Sequence, residues 1–402
     1  MSNNIITGID IGTGSVKVVS ARKNPETLNF EVLAKVQKPI LGVRKGVVSS
    51  VEDVASAIKE CIKEIEVQIN EKVDGVYANA NGSHISCSSS QGLVSVSRAD
   101  QKISSEDIDR VIQAAKAFPV SKNKEIIDVY PKEFIIDGER GIKDPLDMQG
   151  VRFEVEVLVV EGFSQYIKNT SQAVLDSELQ LYDVVINPLA SASSVVSSKD
   201  KERGVAIIDI GASTTSLAVF EEGNLLHLAV FPIGSNNITN DIAIGLKTDI
   251  DTAEEIKLNF GSCSAQKGDK KIEKVTSKEL EEVVSFSRGN LRKIIEARVS
   301  EVFDLIKADL EKISKNQKLP SGIILTGGGS ELPGISELAK KEFKLPCRIG
   351  HPLNFTPEIV DPKFSVACGL VVVGSDLDNS EESSMFSGIG NKIKRFFKMF
   401  IP

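Results

Sequence analysis

Two β-branched runs, Ile5–Ile11 and Val16–Ala21, flank Gly12-Thr13-Gly14-Ser15 and predict a strand–loop–strand unit at the head of the chain. A further strand is expected over Phe30–Gln37. Ser50 then caps a helix whose apolar positions Val54, Ile58, Ile62, Ile65 and Ile69 fall three or four apart, and Val73–Asn81 reads as a strand. From Gly82 to about Gly162 the texture changes. A polar, alternating hairpin is expected over His84–Ser97, followed by a helix capped at Ser104 with Asp107 three residues on. Two extended segments, Ile126–Ile136 and Val151–Val160, are joined by the turn-rich stretch Asp137–Pro145, and the whole reads as an inserted α+β subdomain. Helix Phe163–Leu175, strand Leu181–Ile186 and a helix from Leu189 lead to a second strand–loop–strand unit, Val205–Phe220. Helices are expected at Ser235–Gly245, Thr252–Phe260 and, as one long element, Lys278–Ser314. Strand Gly322–Thr326, helix Ile335–Phe343 and a last helix near Phe364–Val373 complete an α/β body. The polar, acidic stretch Ser375–Ser384 reads as a flexible linker.

The two strand–loop–strand units repeat one motif. Ile9-Asp10-Ile11-Gly12-Thr13-Gly14-Ser15 returns as Ile208-Asp209-Ile210-Gly211-Ala212-Ser213-Thr214. Each copy puts a carboxylate at a strand end, where a hydrated cation can sit. The small residues after it let backbone N–H groups close around an anion. Two such loops half a chain apart predict a duplicated fold that clamps phosphates between its halves. A third loop, Leu325-Thr326-Gly327-Gly328-Gly329-Ser330, has three successive glycines between a strand and a helix, enough bare backbone for a flat ring to lie on. Glu254 and Lys257 share one helical face at i and i+3, suited to ribose hydroxyls and to covering a base.

The 402 residues suffice for two or more domains, and 41% hydrophobic with 26% charged residues is the composition of an ordinary globular protein. No apolar run reaches the ~20 residues needed to cross a bilayer. No signal peptide is expected, because Ser2-Asn3-Asn4 leads straight into a strand pattern. Five scattered cysteines without a C-x-x-C, and three histidines that stand alone, predict neither a disulfide framework nor a structural zinc. A reducing cytoplasm is the expectation.

Charge changes the picture at one end. The chain carries −8, yet Met385–Pro402 holds Lys392, Lys394, Arg395 and Lys398 and no acid, so the rest carries −12. An acidic body argues against nucleic acid as a partner. In the tail, Phe386, Ile389, Ile393, Phe396, Phe397, Phe400 and Ile401 fall on one helical face with the basic residues on its flanks and back. Such a helix either docks on the body or binds an anionic membrane surface, and the acidic linker and basic polar face favour the membrane.

The two phosphate loops, the connecting Asn187-Pro188-Leu189-Ala190-Ser191-Ala192, the Leu325–Pro333 loop and Ala367-Cys368-Gly369 occur in an order that resembles the five motifs of the actin, heat-shock chaperone and sugar-kinase superfamily. Within it, Ile135-Ile136-Asp137-Gly138, Lys143-Asp144-Pro145, Gly150-Val151-Arg152 and Asn240-Asp241-Ile242-Ala243 are similar to the FtsA family of bacterial cell-division proteins. The resemblance implies a duplicated actin-like (ribonuclease H-like) α/β fold with ATP and Mg2+ in the cleft between halves. Its parts would be a first domain at 1–82 and 163–203, an inserted subdomain at 83–162 and a second domain at 204–374 with its own insertion at about 240–320. The linker at 375–384 and the amphipathic helix at 385–402 would follow. It implies that Asp10 and Asp209 hold metal-bound waters. Gly12, Thr13, Gly14 and Lys17 would take the phosphates from one side, and Gly211, Ala212, Ser213 and Thr214 from the other. Gly234 and Ser235 would line the cleft, Glu254 and Lys257 contact the nucleoside, and Gly327, Gly328 and Gly329 lie under the adenine.

Two departures from the superfamily pattern stand out: Ala212-Ser213 replaces the usual Gly-Gly, and Asn187 occupies the place of a carboxylate that orients the attacking water. An amide cannot accept the water's proton, so at most a slow ATPase is expected. The resemblance further implies self-assembly into filaments, anionic lipid and other division proteins as partners, and the acidic C-terminal peptide of FtsZ near Arg298 and Glu301. The expected place of action is the cytoplasmic face of the cell membrane at the division site. A pilus-assembly relative and a small-molecule kinase on the same superfold are the alternatives. The kinase reading needs a catalytic Asp beside an acceptor pocket, which Gly82–Gly162 does not offer.

Overall fold

The computed structural model describes residues 5–381 apart from 118, 266–268, 278–281, 314–318 and 360, with 378–381 described by backbone alone. The chain opens with strands Ile5–Ile11 (β1), Ser15–Lys23 (β2) and Phe30–Pro39 (β3) and a short ribbon of Val43–Arg44 (β4) and Val47–Val48 (β5). Helix Val51–Ile69 (α1) and strand Gly75–Ala80 (β6) follow. As expected, the Ser50 hydroxyl accepts from Asp53 N to start α1, and Val54, Ile58, Ile62 and Ile65 are buried. The inserted subdomain comprises Ser86–Ser95 (β7), Ser105–Lys116 (α2), Lys124–Ile136 (β8), Glu139–Ile142 (β9) and Arg152–Phe163 (β10). Ser104 and Asp107 form the capping box that starts α2. The chain returns through helix Ser164–Asp176 (α3), strand Gln180–Ile186 (β11) and helices Asn187–Val195 (α4) and Ser198–Arg203 (α5).

The second half repeats the opening with Val205–Ile210 (β12), Thr215–Glu221 (β13) and Asn224–Phe231 (β14). Then come helices Ser235–Leu246 (α6) and Ile250–Phe260 (α7), strands Ile272–Thr276 (β15) and Val283–Ser287 (β16), and the long helix Arg288–Ile313 (α8). Strand Ile323–Thr326 (β17), helix Ile335–Phe343 (α9), strands Cys347–Ile349 (β18) and Phe355–Thr356 (β19) and helix Ser365–Glu381 (α10) complete it.

The duplication is visible in the topology. One sheet runs β11-β6-β1-β2-β3-β19 and the other β14-β13-β12-β17-β18. In each, the Asp-bearing strand lies between an antiparallel successor (β2 or β13) and a parallel neighbour (β6 or β17). The turns match as well: Gly12 N donates to Ser15 O at 3.1 Å, and Gly211 N to Thr214 O at 2.9 Å. The inserted subdomain has its own sheet, β7-β10-β8-β9, covered by α2, with Phe134 and Phe153 stacked in its core at 5.6 Å.

Three expectations are corrected. His84–Ser97 is not a hairpin: its residues form the single strand β7, paired along its length with β10. A Cβ on Gly92 would stand 2.1 Å from Val111 O, so this glycine admits the backbone of α2 and makes no turn. The long helix starts at Arg288 instead of near Lys278. Val283–Ser287 pairs with β15, and Val284 and Phe286 face the core while Val283 and Ser285 face outward, the alternation of a strand. The last helix runs on to Glu381, through most of the stretch read as a linker, because Leu377 packs on the core and Asp376 lies 3.9 Å from Lys23. Residues 382–384 of that stretch lie outside the described residues.

Helices α4 and α10 cross where the chain passes between halves, and they touch through backbone. A Cβ on Gly369 would sit 1.6 Å from Ala190 O, closer than any side chain permits. Helix propensity alone predicts that Gly369→Ala stabilises α10 by roughly 1 kcal/mol. The crossing predicts the opposite sign, a loss of about 1–3 kcal/mol or more as α4 is pushed away. Gly245 in α6 is the control, since its Cβ would meet only the movable Ile294 Cδ1 at 2.7 Å as nearest atom. Thermal unfolding should therefore move down for Gly369→Ala and not for Gly245→Ala. Equal shifts for the two variants would remove the crossing as a point of close contact.

Candidate functional site

The strand ends bearing Asp10 and Asp209 face each other across a cleft of about 170 Å3 between the halves. Its walls include Gly12, Thr13, Gly14 and Lys17 from one loop, Gly211, Ala212 and Thr214 from the other, Ser235 from the start of α6, and Gly327, Gly328 and Gly329. The sequence reading therefore converges on one place. The loops approach so closely that a Cβ on Gly14 would touch that of Ala212 at 3.3 Å.

A chain of buried hydrogen bonds ties the two acids together. Lys17 Nζ lies 3.0 Å from Asp10 Oδ2, and Asn79 Nδ2 donates to Asp10 Oδ1 at 3.0 Å and to Asn187 Oδ1 at 2.9 Å. Asn187 Nδ2 donates in turn to Asp209 Oδ2 at 2.8 Å and to Ser216 Oγ at 3.3 Å. The halves differ at one register position. Lys17 stands opposite Asp10, whereas Ser216 stands opposite Asp209. Among the described residues, no cation forms an ion pair with Asp209. Burial and the Asp10 charge push its carboxyl up to about 7, with Lys17 and the Asn187 hydrogen bond pulling the other way. Two buried acids that share one lysine suit a divalent cation. Among the described residues no group of three His, Cys, Asp or Glu side chains could hold a metal ion.

Local sequence explains the loop shapes. Gly327 has φ +80°, a left-handed conformation that disfavours a side chain, and its Cβ would stand 2.2 Å from Asp209 Oδ1. Gly329 packs on Ile210, with 2.3 Å left for a Cβ. Gly328 differs: its Cβ would meet only Lys363 Cβ at 3.8 Å, so this residue alone of the three opens into free space. The N–H groups of Ser235 and Asn236, at the head of α6, donate to Gly211 O at 2.9 Å and Ala212 O at 2.7 Å. These two bonds tie the second loop to the head of that helix.

Four residues expected at the cleft are not among those that line it. Gly234 packs against the Gly211 and Ala212 backbone, and the Ser213 hydroxyl accepts from Asn236 Nδ2 at 3.3 Å. Lys257 is buried beneath α6, 2.6 Å from Glu254 Oε2, and donates to Thr239 Oγ1 at 2.9 Å and Ser235 O at 3.4 Å. Glu254 also bonds the Thr239 hydroxyl. This pair supports the helix that supports the loop, and neither residue lines the cleft. Asn187 does line it, but both ends of its amide are already engaged, which leaves it a bridge between the acids.

Sequence reasoning missed Asn79, Asn81, Gln37 and Lys363. Asn81 Nδ2 donates to Thr214 Oγ1 at 3.1 Å, a direct bond between halves, and Gln37 and Lys363 line the cleft. The signal for the first two was present: asparagines in an otherwise apolar strand, Val76-Tyr77-Ala78-Asn79-Ala80-Asn81. Arg298 lies away from the cleft on α8, where Nε and Nη2 form a two-pronged pair with Asp241 at 2.6 and 2.8 Å, and Nη1 meets Glu301 at 2.6 Å. The amphipathic tail, Phe386 to Ile401 with its lysines and arginine, lies outside the described residues. Two of the histidines are satisfied structural groups within the fold. His84 joins Phe163 N and Asn81 O, each at 3.1 Å, and His227 Nε2 lies 2.7 Å from Asp309 Oδ2.

Paired acids and glycine turns between two equivalent sheets define an actin-like protein. Solved structures share that fold. The PilM–PilN type IV pilus biogenesis complex matches with TM-score 0.68 at 18% identity, over 92% of this chain and 99% of that one. MreB5 of Spiroplasma citri bound to ADP matches with TM-score 0.57 at 14% identity, over 96% and 100%. Residues 206–369 match the family described as cell division protein FtsA, and residues 82–161 the SHS2 domain inserted in FtsA. The cell division protein FtsA of Borreliella burgdorferi is 34% identical over 98% of this chain and 96% of its own. That of Pseudomonas aeruginosa is 33% identical over 96% and 93%. The chain belongs to the FtsA family of cell division proteins.

Proposed function

We propose that this family member binds ATP with Mg2+ in the cleft, polymerises on the cytoplasmic face of the membrane at the division site, and tethers FtsZ filaments there through a C-terminal amphipathic helix. The observation that carries the nucleotide reading is the buried carboxyl of Asp209, hydrogen-bonded to Asn187 and set opposite Asp10 between two equivalent glycine turns. Mg2+ bound with the phosphates supplies the positive charge that Ser216 does not. The glycine turns admit the phosphates, Gly328 the base, and Asp10 and Asp209 take metal-bound waters. The ADP bound to MreB5 of Spiroplasma citri, on the same fold, is consistent with a nucleotide here. Asn187, held at both ends, supplies no base for hydrolysis, so turnover is slow and ATP acts as a conformational ligand. On α8, Arg298 and Glu301 are the proposed contacts for an acidic FtsZ peptide. Such a peptide has to share Arg298 with Asp241.

Isothermal calorimetry tests the cleft. Wild-type protein should bind ATP in a Mg2+-dependent way. Asp209→Ala removes a charged acceptor and should weaken binding by about tenfold or more. Gly328→Val projects into open space, so it should fold normally and lose nucleotide. If all three proteins bind ATP alike, the cleft assignment is wrong.

A further inference from the structure

The five cysteines are not equivalent. Cys61, Cys263, Cys347 and Cys368 are buried, and Cys87 is half-buried. Cys87 sits on β7 of the inserted subdomain, where that subdomain meets β14 of the second half. Its Sγ lies 3.3 Å from Leu228 O and 3.6 Å from His227 Nδ1. His227 Nε2 in turn lies 2.7 Å from Asp309 Oδ2, on α8. A carboxylate can only accept, so in the neutral imidazole Asp309 fixes the proton on Nε2 and leaves a lone pair on Nδ1 facing the thiol. A nucleophile, a base beside it and an acid orienting the base have thus been assembled from three elements, far apart in sequence and outside the nucleotide cleft.

We propose that Cys87 is a thiol-modification site, with His227 as its base and Asp309 holding that base, and that low-molecular-weight disulfides are its reactants. The Cys87 proton passes to His227 Nδ1 as Sγ attacks one sulfur of the disulfide. The S–S bond breaks, and the departing thiolate takes the proton from His227. Cys87 is oxidised to a mixed disulfide and the reactant is reduced to one thiol, so atoms and electrons balance. Burial pushes the Cys87 thiol up, so it rests protonated, and a base is what lets the proton leave during attack. The other four thiols are buried. Burial lifts Cys61 and Cys347 to about 11 and Cys263 to about 12.

The position gives the adduct a consequence. Modification takes the thiol away from the Leu228 carbonyl, so it removes a bond that joins β7 to β14 across the seam. Another tether across the seam, Lys143 Nζ to Glu222 O at 2.7 Å, would remain.

The test uses the full chain and oxidised glutathione as reactant, with adducts located by peptide mass spectrometry. Cys87 should be modified at least about tenfold faster than the four buried cysteines, and His227→Gln should slow it by at least about tenfold. Asp309→Asn should slow it less, and in urea the differences should vanish. Hydrogen exchange should rise in Ser86–Ser95 and Asn224–Phe231 of the modified protein. The proposal is overturned if native Cys87 reacts no faster than the buried four. It is equally overturned if His227→Gln and Asp309→Asn, both folded by circular dichroism, react at the wild-type rate. The comparison among cysteines within the wild type needs no variant, so a variant that fails to fold does not rescue the idea.

Discussion

In the nucleotide-free protein, Asp209→Asn should raise the unfolding temperature clearly at pH 8 and hardly at all at pH 4. The folded carboxyl is pushed up to about 7 against an ordinary value of 3.8. A group whose affinity for protons is raised by folding stabilises the fold below its unfolded value. It loses that contribution as pH climbs through the folded one. The window is therefore about pH 4 to pH 7, and full ionisation costs the apo fold on the order of 4 kcal/mol. Asparagine keeps the shape, still accepts from Asn187, and has no charge to force into the cleft. The same argument inverts with ligand present. A cation rewards the ionised carboxyl, so Mg2+ with ATP should stabilise wild type more than Asp209→Asn, and increasingly as pH rises. Calorimetric unfolding at pH 4 and pH 8, with and without Mg2+ and ATP, measures both effects. Parallel pH profiles for wild type and variant in the apo state would mean that Asp209 is not the strained acid described here.

What the sequence revealed depended on how local each cause was. The two phosphate loops were legible because strand, carboxylate, glycine turn and strand are contiguous, and their repetition exposed the duplication. The capped helices α1 and α2 were legible for the same reason. Errors fell where distant packing decides. The hairpin expected over His84–Ser97 is one strand, in which Gly92 serves the approach of α2. Val283–Ser287 runs into α8 with no turn residue between, so helix periodicity absorbed a strand whose partner is β15. The acidic residues after Ser375 looked like linker because nothing nearby reveals Lys23 as a neighbour. In the site, Glu254 and Lys257 were rightly read as one pair, but the burial of Lys257 beneath α6 depends on Thr239 and Ser235 O. The asymmetry that matters most, Lys17 opposite Asp10 and Ser216 opposite Asp209, was present in the aligned repeats. Its electrostatic meaning needed the two acids to be placed in one cavity.

The largest effect expected in this protein belongs to the tail, which is proposed from its pattern. Helix α10 runs to Glu381, and the stretch Met385–Pro402, of mixed apolar and basic residues, begins four residues later in the sequence. Burying one phenylalanine yields roughly 1.5–3 kcal/mol, less when insertion is partial, and each basic residue near an anionic surface about 1 kcal/mol. A single chain should hence bind reversibly, and chains joined in a filament far more firmly, since the second tail inserts at high effective concentration. Phe396→Glu with Phe400→Glu removes two anchors and sets charge against acyl chains, which should cut liposome binding by about a hundredfold or more. Reversing Lys394 and Lys398 should weaken binding to anionic vesicles while sparing neutral ones, and added salt should mimic it. Retention of FtsZ on the same vesicles should follow the tail. A tail docked on the body predicts otherwise: the phenylalanine variants would melt earlier, and wild type would stay in the supernatant. Sedimentation with anionic liposomes and melting temperature, measured on the same proteins, separate the two. If removing Met385–Pro402 lowers the melting temperature and the intact chain does not sediment with vesicles, the apolar face is body-bound and the membrane role falls.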